Sequence, residues 1–152
     1  MNSINQKTKI MKTLRFETKI DAPAGKVWKA LWDDKNYREW TSAFAEGSHA
    51  ESDWEEGSSI NFLGPSGEGM YSVIDTKIPN KQMTFRHLGS VKDGIKTPEP
   101  EWANAMEEYI LEEKDGKTTL KASVETAEKY ADMFNKSFPK ALEILKKNSE
   151  KE

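Results

Sequence analysis

Cysteine is absent from the chain. Disulfides, thiolate zinc sites and a cysteine nucleophile are thereby excluded, and a reducing, cytoplasmic setting is compatible with the composition. An excess of positive charge is also missing: 23 Lys and Arg stand against 26 Asp and Glu, a net charge of -3. Such a chain carries no basic footprint, so no nucleic-acid partner is expected. Nowhere is there an apolar run long enough to span a bilayer, so no membrane insertion is expected. The opening MNSINQKTKI lacks the apolar core of a signal peptide, which points to cytoplasmic localisation. With two histidines, His49 and His87, and no thiols, neither a metal site nor a cofactor is expected. The glycine-rich GPSGEG at 64–69 has no following Lys-Ser/Thr and lies between strand-like segments, so it reads as a hairpin loop and not a phosphate cradle.

Aromatic residues, by contrast, are concentrated. The segment WKALWDDKNYREW (28–40) holds three of the five tryptophans of a chain that is 36% hydrophobic and 32% charged. At 152 residues the chain has single-domain length. We expect one domain over 12–147, preceded by a flexible extension (1–11, with Met11 an alternative start) and followed by a charged tail (148–152). Residues 12–20 alternate, with Leu14, Phe16, Thr18 and Ile20 on one face, which predicts a half-buried strand. Asp21 and Pro23 predict the start of a helix carrying Val27, Trp28, Leu31 and Trp32. A second short helix carries Tyr37, Trp40 and Phe44. Candidate strands follow at 48–55, 58–64, 68–78, 82–88, 102–113 and 117–126, and 89–101 reads as a mobile loop. Thr126 is the expected N-cap of a long C-terminal helix whose Met133, Phe134, Phe138, Leu142 and Leu145 follow the helical period, with a kink or restart at Pro139. The order is strand, two short helices, six strands, one long helix. This is an α+β class in which a curved antiparallel sheet of about seven strands wraps a long helix and leaves space where the two diverge.

The stretches IDAPAGKVWKALWDDKNYREWTSAF (20–44), DWEEGSSINFLGPSGEGM (53–70), FRHLG (85–89) and KALEILKK (140–147) resemble the START-like, or SRPBCC, superfamily. More narrowly, they resemble bacterial homologues of the C-terminal domain of the activator of the ninety-kilodalton heat-shock protein's ATPase. The resemblance implies the helix-grip fold, like that of the birch-pollen allergen, with a cavity between sheet and helix. It transfers no catalytic motif, so no residue inherits a catalytic role.

The residues of the predicted inward rows define a candidate ligand site. Phe62, Met70, Phe85, His87, Glu107 and Tyr109 come from strands. Trp40 and Phe44 come from the second short helix, and Met133, Phe134 and Phe138 from the long one. Apolar members would supply burial, and His87, Glu107 and Tyr109 would orient a polar end. A one-residue slip in register would turn Glu107 outward. The expected partner is a hydrophobic or amphipathic small molecule, bound by a monomer or homodimer. Two alternatives stand beside it: a co-chaperone-like module that binds a chaperone, and a cyclase- or hydratase-type enzyme using His87 and Glu107.

Overall fold

A computed structural model describes residues 11–151. The predicted extension lies outside the described residues except for Met11, which opens the first strand. The elements are β1 (Met11–Ile20), α1 (Ala24–Trp32), α2 (Asp34–Thr41), β2 (His49–Glu51), β3 (Ser59–Leu63), β4 (Glu68–Ile78), β5 (Gln82–Lys92), β6 (Ile95–Pro98), β7 (Ala105–Lys114), β8 (Lys117–Ala127), a short 3-10 turn (Glu128–Tyr130) and α3 (Ala131–Glu150). The antiparallel sheet runs β1-β8-β7-β5-β4-β3-β2, with β6 paired to β5 off this path. It is curved and unclosed, and α3 packs on β1, α1 and α2, which is the helix-grip arrangement.

The pleat places alternate residues on one face, and antiparallel register lines those faces up across strands. Phe16 pairs with Ala122, Ala122 with Tyr109, and Tyr109 with Met83. The next row runs Leu14, Val124, Glu107 and Phe85. Against these rows α3 lays a face that is buried mainly in its C-terminal half, through Phe138, Ala141, Leu142 and Leu145. Its first turns are looser, and Met133 remains 43% exposed. The helix therefore grips the sheet at one end and stands off from it at the other.

Several expectations are corrected. The sheet has eight strands, one more than the sequence marks. The additional strand comes from the 89–101 segment, where β5 continues to Lys92 and returns as β6. Asp93 and Gly94 both take positive φ (51° and 78°), as do Asp115 and Gly116 (55° and 78°), so two-residue hairpin turns of the same kind join β5 to β6 and β7 to β8. The segment 48–55 is strand only over His49–Glu51. Asp21 does not cap α1: the N-cap is Pro23, and the free Ala24 amide donates to the Glu113 carboxylate at 2.8 Å. Thr126 lies in β8 and donates to the Ala127 carbonyl, so the 3-10 turn, not a Thr cap, leads into α3. The long helix passes through Pro139 without interruption and continues past Lys147 to Glu150, over residues expected to form a tail.

Candidate functional site

The aromatic segment resolves into a ring cluster around Trp32. Its indole lies within 5.1–6.4 Å, centroid to centroid, of Trp28, Tyr37, Trp40, Trp54, Phe85 and Tyr109, mostly edge-to-face. Trp40 is not a lid. It is 2% exposed, and its indole N–H donates to the Leu31 carbonyl at 2.9 Å, which locks α2 onto α1. Trp54 packs beside the cluster with φ of 63°, its amide held by Ser52 Oγ and its carbonyl by Lys77 Nζ.

Where α3 stands off from the sheet a cleft opens in two adjoining lobes. The first, about 390 Å³, is lined by Trp40, Phe44, Phe62, Met70, Tyr109 and Phe138, among others. The second, about 310 Å³, is lined by His87, Trp102, Val124, Glu125, Tyr130 and neighbours. Gly69, Met70, Glu107, Met133 and Phe134 border both. Ten of the eleven predicted site residues thus meet at this cleft, counting His87 in the second lobe. Phe85 does not: it is fully buried behind Phe62, with ring centroids 4.9 Å apart, and it faces Trp32 on its other side.

At the inner end of the cleft four polar side chains form one chain of hydrogen bonds. Ser72 Oγ lies 2.6 Å from His87 Nδ1, and His87 Nε2 lies 2.9 Å from Glu107 Oε1. The Tyr109 hydroxyl donates to Glu107 Oε2 in a short contact. A neutral imidazole with its hydrogen on Nε2 satisfies every link: Ser72 donates to Nδ1, and His87 and Tyr109 each donate to one carboxylate oxygen. Glu107 faces inward because it pairs with Phe85 and Val124, whereas Glu108 faces the opposite side and accepts from Thr84 and Gln82. Ser72 is 1% exposed and does not border the cleft, so it positions the imidazole and has no access to a substrate. His87 and Glu107 do border it, within reach of a bound molecule.

Burial, reinforced by the negative charge of Glu107, pushes the hydroxyls of both Tyr37 and Tyr109 well above the usual tyrosine range. In the unfolded chain these phenols ionise near pH 10, so above that pH the unfolded state binds fewer protons than the folded one and stability falls as pH rises. The expected loss is up to about 1.4 kcal/mol per pH unit for each tyrosine. Urea denaturation between pH 9 and 11 should show it, and Tyr109→Phe should reduce the slope to about half.

Tyr37, Ser72 and Tyr130 complete the site but are outside the predicted set. Tyr37 sits three residues before Trp40 on α2, a spacing that places it on the same face. Ser72 shares a strand face with Met70 and Ile74, but its pairing with His87 depends on a register shift between Tyr71 and Ser72 that no local pattern reveals.

A family model described as Activator of Hsp90 ATPase homolog 1-like protein matches residues 21–150. Among solved structures, the Aha1 dimer from Colwellia psychrerythraea is similar at 22% identity, covering 91% of this chain and 96% of that one, with a TM-score of 0.70. MLL2253 from Mesorhizobium loti is similar at 16% identity, covering 90% and 96%, with a TM-score of 0.70. CalU16 from Micromonospora echinospora is similar at 19% identity, covering 90% and 73%, with a TM-score of 0.64. No curated protein matches the chain. Among the described residues, no helix is long and apolar enough to cross a membrane, and no group of His, Asp and Glu is arranged to hold a metal ion.

Proposed function

The chain belongs to the family of Activator of Hsp90 ATPase homolog 1-like proteins, and on that premise we propose that it binds an amphipathic small molecule in the cleft between sheet and α3, in a cytoplasmic setting. One observation carries this reading: apolar walls converge on a single polar network, Ser72–His87–Glu107–Tyr109, at the inner end of an open space of several hundred Å³. Small-molecule sites have this composition, with burial from the walls and orientation from a few polar groups. Phe44, Met70 and Phe134 supply the apolar contact, and Glu107 and Tyr109 fix the polar end.

Family membership favours a second reading, in which the domain docks on a chaperone; the dimeric Colwellia neighbour likewise supports a homodimer. Exposed large apolar side chains among the described residues are Ile78, Ile95, Tyr130 and Met133, and the last two border the cleft, which supports the ligand reading over a broad docking face. The third reading, acid–base catalysis, rests on the His87–Glu107 pair at the cleft wall.

Native mass spectrometry of freshly purified protein tests these readings together. A discrete extra mass that is lost on denaturation is the expected result. A bare chain that also takes up no apolar probe would sink the ligand reading and leave chaperone pull-down as the next measurement. A bound molecule recovered chemically altered would instead establish turnover, and His87→Ala should then abolish it.

A further inference from the structure

The cleft has a chemical bias that its apolar walls do not explain. Its charged wall residues are Glu107, which borders both lobes, and Glu125 in the second; no lysine or arginine is among the described residues that line either lobe, and the wall's other imidazole, His49, lies with Nδ1 3.0 Å from the Gly47 carbonyl. Three of the wall's hydroxyl hydrogens, besides that of Tyr109, are engaged within the protein. Thr41 donates to the Tyr37 carbonyl, Ser48 to the Ala45 carbonyl and Thr126 to the Ala127 carbonyl. Both ring nitrogens of His87 are engaged by Ser72 and Glu107, so the imidazole has no hydrogen left for a ligand. Acceptor capacity, in contrast, remains. Glu107 receives one hydrogen bond on each oxygen, and Glu125 receives the Met106 amide on Oε1. A carboxylate has about four acceptor sites, so each keeps lone pairs in reserve. Aromatic rings, whose faces attract cations, make up much of the remaining lining. At the mouth a cation already takes such a position: Lys129 Nζ sits 5.3 Å over the Tyr130 ring, paired with Glu101 at 3.1 Å.

From this juxtaposition we infer that the cleft selects ligands whose polar end is an ammonium group on an apolar body, and disfavours carboxylate or phosphate ends. The inference rests on the proposed ligand-binding reading and assigns its head group. An ammonium brought to Glu107 is neutralised by the carboxylate and donates to its unused lone pairs. A carboxylate brought to the same place meets a like charge and finds no lysine or arginine on the wall to offset it.

The test is calorimetric titration of the full chain with octylamine, octanol and octanoate, which share an apolar body and differ in the head. Octylamine is expected to bind at least about tenfold tighter than octanoate. Glu107→Gln, with its fold checked by circular dichroism, should bring the two to within about twofold. Glu125→Gln serves as the second variant should Glu107→Gln not fold, and the comparison among heads on the unaltered chain depends on neither. If octanoate binds as tightly as octylamine, the head-group assignment is overturned while the cleft remains a ligand site. If none of the three binds, both inferences fall. An amine preference that survives both substitutions overturns the role given to these carboxylates.

Discussion

Phe138→Ala is expected to destabilise the fold by about 3–5 kcal/mol, the usual range for deleting a fully buried phenylalanine. Phe138 is 1% exposed and stands where the gripping half of α3 gives way to the half that stands off. Its ring stacks on Phe16 of β1 with centroids 4.6 Å apart and planes 10° from parallel, and it meets Phe44 edge-on at 5.1 Å. α3, β1 and the turn that follows α2, where Phe44 lies and not on the helix itself, therefore lose a shared contact when the ring is removed. For a domain of this size the melting temperature should fall by roughly 10 °C. The same ring forms part of the cleft wall, so the substitution also enlarges the cleft. A bulky apolar ligand should recover part of the lost stability in the variant and less in the unaltered chain. Thermal melts with and without such a ligand check both statements, and a loss under 1 kcal/mol would show that α3 is not held at this point.

Gly69→Ala is expected to cost about 3 kcal/mol or more, at the upper end for an overpacked site. A Cβ at this position would lie 1.7 Å from the Phe62 carbonyl oxygen and 2.9 Å from the Leu63 Cα. These are backbone atoms of the neighbouring strand, so no side-chain rotation relieves the clash and β3 must move away from β4. That movement would displace Phe62, which pairs with Met70 across the two strands and packs on Phe85 and His87. The consequence reaches the site: a variant that still folds should bind the cleft ligand more weakly. Gly25→Ala is the contrast. Gly25 lies in α1, and the nearest atom to its added Cβ is Asn80 Oδ1 at 3.9 Å. There the substitution should be neutral or stabilising by up to about 1 kcal/mol, since glycine is a poor helix former. Urea denaturation of the pair measures both, and equal effects would show that close strand approach is not the cause.

Much of the fold was legible because local pattern and long-range packing agree. The alternation of Leu14, Phe16, Thr18 and Ile20 survives as the inward face of β1, and the apolar period of Phe138, Leu142 and Leu145 survives as the buried face of α3. The reading failed where pattern was weak or ambiguous. In 89–101 the prolines and glycines point to a loop, although Asp93–Gly94 is the same turn signal that marks Asp115–Gly116. Phe85 alternates with His87 and so shares the inward face, but inward is not the same as lining. Its ring lies one layer deeper, behind Phe62, because two other aromatic side chains close over it.

By itself, the sequence determined the order of the elements apart from β6 and the 3-10 turn, the faces of the strands, the absence of thiol chemistry and the pairing of a histidine and a glutamate with apolar neighbours. Periodicity is a local property, and these features need nothing else. Only the tertiary structure decided that Ser72, His87, Glu107 and Tyr109 form one hydrogen-bonded chain. These residues lie on β4, β5 and β7, and what brings them together is strand register, including the shift beside Ser72. Register is set by the summed burial of whole strands and by bulges, so it cannot be read from any one of them. The cleft has the same origin: α3 is buried over its C-terminal half and lifts from the sheet over its first turns, and that divergence exists only once helix and sheet have packed.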